Sequence, residues 1–226
     1  MADLEKNILV VIPVNEDHKK FLEEKAASGD KNCCIRYVNG GEVTKEDVEQ
    51  ADVIVGNVDP SLISGAKNLE LLQLNSAGAD LYIKAGVMPE GAVLANATGA
   101  YGLAVSEHML GLTFDLIRRL NQYHANQAEH VWKAMGNIIS VEGSTILVLG
   151  LGDIGGDYAR KVHALGAHVI GVRRTNRNKP DYLDEQHTMD DLDMLLGRAD
   201  IVAIVLPGGN TTNHIMDERR LRLMKK

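Results

Sequence analysis

Cysteine is nearly absent from these 226 residues: Cys33 and Cys34 are the only two, and they are adjacent. No second pair exists to build a disulfide framework or a metal knuckle, which suits a reduced, cytoplasmic setting and predicts no metal site. Long apolar runs are missing as well. The opening MADLEKNILVVIPVNED carries too short an apolar stretch between too many charges for a signal peptide or a membrane span, and no later segment reaches membrane length. Positive charge is not in excess either. With 24 basic and 31 acidic side chains the net charge is -7, which argues against nucleic acid or an anionic membrane as a general partner. There is no internal repeat and no low-complexity tract. What remains is ordinary globular material, 45% hydrophobic and 24% charged, long enough for one large domain or two modest ones with their own cores.

The most informative stretch is Thr145 to Gly155, TILVLGLGDIG. It joins an apolar strand, a G-x-G-x-x-G turn (Gly150, Gly152, Gly155) and the start of a helix, the arrangement that holds a dinucleotide. The first glycine permits the tight turn, the second lets backbone approach a pyrophosphate, and the third allows close helix packing. The free N–H groups of the new helix face the phosphates. The next strand ends in Val169 to Thr175, VIGVRRT, where such folds carry an acidic residue for the ribose 2′-hydroxyl. Here Arg173 and Arg174 stand instead. Two guanidiniums and the Thr175 hydroxyl suit a 2′-phosphate, so the residues predict NADP(H) over NAD(H); the alternative is a pair of solvated charges at a strand end.

Around this turn the chain reads as alternating strands and helices, which predicts an α/β protein with parallel sheets. Strands are expected at Ile8 to Ile12, Cys34 to Val38, Ala51 to Gly56, Leu69 to Leu74 and Val93 to Ala95, with helices from Glu16 to Ala27 and from a Thr44 cap paired with Asp47. Residues 1–102 form the expected first domain. One long helix is predicted from Leu103 to about residue 130, bridging to a dinucleotide-binding domain over 103–226. On it, Glu107, Arg118 and Arg119 read chiefly as solvated or ion-paired charges, and His108, among apolar neighbours, as a packed histidine. Beyond the fingerprint come a helix from Met189 to Leu196 capped by Thr188, a strand from Ile201 to Leu206, and a last amphipathic segment from Ile215 to Met224. Only three strands are counted after residue 144. On that count the first of them, Thr145 to Gly150, would be an exposed apolar edge of an incomplete fold.

These motifs resemble the D-isomer-specific 2-hydroxyacid dehydrogenases, which include glyoxylate and hydroxypyruvate reductases and phosphoglycerate dehydrogenases. The resemblance rests on NSAGAD (Asn75 to Asp80), VSEHML (Val105 to Leu110), Trp132, LGLGDIG, and ADIVAIVLP (Ala199 to Pro207) followed by TTNHIM. It implies a flavodoxin-like substrate domain followed by a Rossmann-type doubly wound parallel sheet, and a homodimer. It further implies that backbone N–H groups of Ser76, Ala77 and Gly78 hold the substrate carboxylate, an anion-binding nest of small residues. Asp153 and Ile154 would face the pyrophosphate, with any contact at Asp153 made by its amide. Arg173 and Arg174 would face the adenosine ribose, and Leu206, Pro207 and Thr212 the region near adenine and ribose.

One departure is large. The family's catalytic arginine lies in an N-x-G-R-G strand end, its glutamate downstream and its histidine in a P-H turn; none of the three occurs in these 226 residues. His214 and Asp217 align with a helix start, where capping or exposure is the expected role. The resemblance therefore implies hydride transfer between NADP(H) and a small 2-oxo or 2-hydroxy acid, with no catalytic residue identified here and a C-terminally truncated, inactive chain expected. The rival reading is a non-catalytic NADP(H)-binding or interaction protein.

Overall fold

A computed structural model describes residues 5–29, 32–175 and 178–225. The chain divides into two compact units, residues 1–98 and 99–226. No helix among the described residues is long and apolar enough to cross a membrane.

The first unit is a five-stranded parallel sheet. Its strands are β1 (Lys6–Val10), β2 (Cys33–Tyr37), β3 (Val53–Val55), β4 (Leu71–Gln73) and β5 (Val93–Ala95), in the order β2-β1-β3-β4-β5, which is the flavodoxin-like order. Helices α1 (Glu16–Ala27), α2 (Lys45–Gln50) and α3 (Pro60–Ile63) connect them. The short central strands hold because they are apolar and buried: Leu9, Ile54 and Leu72 share one core with Val48, Ile63 and Leu74. The expected cap at Thr44 is present. Asp47 N–H donates to Thr44 Oγ1 at 3.3 Å and Thr44 N–H to the Asp47 carboxylate at 2.8 Å. Asp47 is buried and pairs with Arg36 at 2.5 Å. The bonds from Thr44 hold its carboxyl below the usual carboxylate range, aided by that arginine.

The second unit begins with α4 (Gly102–Ile117) and α5 (Leu120–Ala128), followed by a parallel sheet of β6 (Thr145–Leu149), β7 (His168–Val172), β8 (Glu185–His187) and β9 (Ile201–Ile204). Helix α6 (Asp153–Ala164) follows β6, while α7 (Leu192–Leu196) and α8 (Glu218–Leu223) flank β9. The order is β8-β7-β6-β9. This corrects the strand count. Ile201–Ile204 is the fourth strand, not the third, and β6 lies inside the sheet with β7 on one side and β9 on the other. The overlooked strand is Glu-Gln-His, short and polar as edge strands are, so neither alternation nor an apolar run marks it.

The long helix is also corrected. It breaks at Arg118–Arg119, where Arg119 takes φ 56. A distant segment stabilises the break: Ile139 N–H donates to the Ile117 carbonyl at 3.3 Å, and Arg119 Nε to the Asn137 carbonyl at 2.9 Å. His108 is exposed rather than packed, because the buried face of α4 runs through Gly102, Ser106 and Thr113. Thr188 makes no side-chain cap, and the final helix is shorter than expected, capped by Asp217 whose carboxylate accepts from Arg220 N–H at 2.8 Å.

Helices α4 and α6 are joined by a buried hydroxyl pair. Thr113 donates to the Met109 carbonyl at 2.8 Å, leaving its oxygen to accept from Tyr158 at 2.7 Å. Burial raises the Tyr158 pKa, and the bond to Thr113 opposes that rise. Removing the hydroxyl by Tyr158→Phe is expected to cost about 1 kcal/mol, seen as a lower urea midpoint at unchanged slope.

At the outer edge, Glu185 accepts from Arg198, from His168 at 2.9 Å and from His187 at 3.0 Å. The Arg198 guanidinium first, then the two histidines, holds its carboxyl far below the usual glutamate range. A depressed carboxyl adds stability that is present above the unfolded pKa and is lost as pH falls through the folded one. Glu185→Gln is therefore expected to flatten the acid limb of stability against pH, measured by urea unfolding from neutral pH downward, with an unaltered acid limb as the contrary result.

Candidate functional site

In the second unit the site is built at the carboxyl ends of the parallel strands, where α/β sheets hold ligands. β6 is fully buried from Ile146 to Leu149, which fixes where its end emerges. The turn that follows is set by backbone contact. Gly150 adopts φ +97, and a Cβ there would collide with the Val205 carbonyl just beyond β9. A Cβ on Gly155 would collide with the Gly150 carbonyl oxygen itself. Helix α6 thus rests directly on the turn, and the turn on the neighbouring strand end. Gly152 differs: it is exposed, and a Cβ would meet nothing within 4 Å. The N–H groups of Asp153, Ile154 and Gly155 have no partner among the described residues, as the first turn of a helix leaves them. Open space over Gly152 beside unspent donors at the positive end of a twelve-residue helix fits a dinucleotide pyrophosphate.

Asp153 brings a carboxylate to this turn, yet the side chain packs back against Gly102, the first residue of α4, where a Cβ would lie 2.8 Å from the Asp153 Cγ. Its amide remains available to a phosphate. Arg173 continues β7, its N–H donating to the His187 carbonyl at 3.1 Å, and Arg174 and Thr175 follow, exposed. Neither guanidinium has a carboxylate partner among the described residues. On the other side, Leu206 packs into the core beside Gly150, and the Thr212 hydroxyl closes the loop after β9 by donating to the Pro207 carbonyl at 2.7 Å. The structure thus gathers Gly150 to Gly155, Arg173 to Thr175, and Leu206 to Thr212 around the ends of three adjacent strands. His214 is exposed and Asp217 serves as a helix cap.

In the first unit, Ser76, Ala77 and Gly78 follow β4 at the same end of the sheet as Asn57 after β3 and Asn96 after β5. Sequence reading overlooked both asparagines. Their only signal is a polar amide just past an apolar strand. Asn57 and Asn75 exchange backbone-to-side-chain bonds at 3.0 and 3.1 Å, and Asn96 Nδ2 donates to the Ala77 carbonyl at 2.8 Å. A cavity of about 740 Å³ over α5 and the following segment, lined by residues such as Tyr123, Trp132 and Lys133, includes none of the expected site residues. Among the described residues no group of three or more His, Cys, Asp or Glu is placed to hold a metal ion.

The family model of the D-isomer specific 2-hydroxyacid dehydrogenase NAD binding domain matches residues 110–226, just over half of the chain. The chain belongs to this family. The dehydrogenase relatives are distant in sequence and near in fold. D-3-phosphoglycerate dehydrogenase of Methanocaldococcus jannaschii is 28% identical over 97% of this chain and 42% of its own length. Glyoxylate reductase of Thermofilum pendens is 26% identical over 92% of the chain and 66% of its own length. The crystal structure of a D-isomer specific 2-hydroxyacid dehydrogenase family protein from Aeromonas salmonicida subsp. salmonicida A449 superposes with a TM-score of 0.82 at 25% identity, covering 97% of this chain and 70% of that one. The chain therefore spans about two fifths of the length of the phosphoglycerate dehydrogenase it matches. Within the family, the fold around the glycine turn is an NAD-binding domain of Rossmann type.

Two glycine substitutions separate packing from ligand approach. Gly155→Ala drives a methyl into backbone that cannot yield and is expected to lower stability by about 1–3 kcal/mol, whereas Gly152→Ala is expected to leave thermal stability unchanged and to weaken nucleotide binding. Melting curves with and without nucleotide check both; equal stability of Gly155→Ala and the parent would contradict the contact.

Proposed function

We propose that this chain provides the dinucleotide-holding and carboxylate-holding parts of an NADP(H)-dependent 2-hydroxyacid dehydrogenase acting on a small 2-oxo or 2-hydroxy acid. The observation that carries the reading is the first turn of α6, its N–H groups without a partner among the described residues, beside the open face of Gly152, with two arginines at the end of the neighbouring strand that have no carboxylate partner among those residues. In this assignment the amides of Gly152, Asp153, Ile154 and Gly155 hold the pyrophosphate. Arg173, Arg174 and Thr175 hold the 2′-phosphate by charge-assisted bonds, for which guanidinium geometry is suited. Leu206, Pro207 and Thr212 border the adenosine. When bound, the nicotinamide supplies or accepts the hydride.

The peptide N–H groups of the Ser76–Gly78 loop hold the substrate carboxylate in this reading, as donors prearranged for negative charge. These 226 residues contain neither an N-x-G-R-G motif nor a P-H pair. Hence the groups that clamp the carboxylate and move the proton in the family are not assigned to any residue here, and the 226-residue chain alone is inactive. The same observation supports the second reading, a protein that binds NADP(H) without turnover. A homodimer in a cytoplasmic setting completes the proposal. Its support is the set of large apolar side chains left exposed on α4 and α5, Leu103, Leu112, Leu116 and Leu120, together with two cysteines outside any disulfide.

Fluorescence titration with NADPH and NADH tests the cofactor assignment. NADPH is expected to bind more tightly, and Arg173→Ala with Arg174→Ala to erase roughly tenfold to a hundredfold of that preference while leaving NADH affinity unchanged. Tighter binding of NADH by the parent would overturn it. Oxidation of NADPH by the 226-residue chain with glyoxylate, hydroxypyruvate or pyruvate would overturn the claim of inactivity.

A further inference from the structure

Side chains of Asn57, Ser76 and Asn96 converge on the loop Ser76 to Gly78. Asn57 N–H donates to Asn75 Oδ1 at 3.0 Å, and Asn57 Oδ1 accepts from Asn75 N–H at 3.1 Å, a reciprocal brace between the ends of β3 and β4. The same Asn57 amide donates through Nδ2 to Ser76 Oγ at 3.0 Å, and the Ser76 hydroxyl then donates to the Gly78 carbonyl at 2.8 Å. From the β5 side, Ala97 N–H donates to the Ser76 carbonyl at 3.0 Å and Asn96 Nδ2 to the Ala77 carbonyl at 2.8 Å. Three consecutive carbonyls, of Ser76, Ala77 and Gly78, are therefore each held by a donor.

A peptide group is planar and trans, so the C=O of one residue and the N–H of the next point in opposite directions. Holding those three carbonyls fixes the N–H groups of Ala77, Gly78 and Ala79, pointing each away from the donor that holds its carbonyl. None of the three N–H groups has a partner among the described residues. We propose that Asn57 and Asn96 are the positioning residues of this loop: they orient its peptide donors for a carboxylate without touching it. This rests on the reading of the loop as the carboxylate holder.

The test uses oxalate, a small dicarboxylate probe, titrated into the 226-residue chain while the amide resonances of Ala77, Gly78 and Ala79 are followed by NMR. In the parent these resonances are expected to shift together. Asn57→Ala and Asn96→Ala are expected to weaken oxalate about tenfold, with resonances of the second unit and NADPH affinity unmoved. Ser76→Ala, which deletes only the hydroxyl relay and keeps the Asn57–Asn75 brace, guards against misfolding of the asparagine variants and is expected to weaken oxalate too. If the parent responds and all three variants bind within twofold of it, the positioning role is overturned while the carboxylate reading stands. If the parent amides do not respond at the highest soluble oxalate, the carboxylate reading falls, and the positioning role with it.

Discussion

The second unit depends on one steric constraint, the stacking of backbone on backbone where Gly155 rests on the Gly150 carbonyl and Gly150 on that of Val205. Any side chain at either glycine would separate α6 from β6 or β6 from β9. With both absent, the helix starts directly over the strand end, and its unpaired N–H groups come to the carboxyl edge of the sheet. The other expected cofactor residues need no special device. They follow β7 and β9, whose register against the buried β6 is set by its parallel hydrogen-bond ladders on both sides.

The two units use related physics in different ways. In the second, the proposed donors for an anion are those of the first turn of a helix, whose dipole adds to them. In the first, the proposed donors belong to an irregular loop that side-chain amides from the flanking strand ends hold. Both arrangements present neutral donors that are already in place, so little reorganisation is needed when an anion arrives. The carboxylate of Asp153, which by its charge opposes a phosphate, is packed against Gly102 at the start of α4.

The periphery is held by charge instead of apolar contact. β8 has only three residues, and Glu185 at its start gathers Arg198, His168 and His187. This ties the outermost strand to β7 and to the segment after α7. Such pairs are weak singly and gain from being shared at one carboxylate. The Arg219 and Arg220 pairs with Asp193 similarly fasten α8 onto α7.

The alternation of elements, the glycine turn and the capping box at Thr44 were legible in the sequence because each is local: a strand's apolar run, a spacing of three glycines, a cap three residues from its partner. The family motifs added the order of those pieces and the loop at Ser76 to Gly78. Tertiary structure decided what depends on residues far apart in the chain. It broke the helix at Arg119, where Ile139 takes the Ile117 carbonyl and Asn137 accepts from the Arg119 guanidinium, and it exposed His108, because which face of α4 is buried is set by α6. It also made a strand of Glu185–His187, whose polar residues have no strand signal until β7 offers its edge. Asn57 and Asn96 belong to this second class: an asparagine after a strand is an ordinary turn residue by sequence, and only the adjacency of β3, β4 and β5 turns two of them onto one loop.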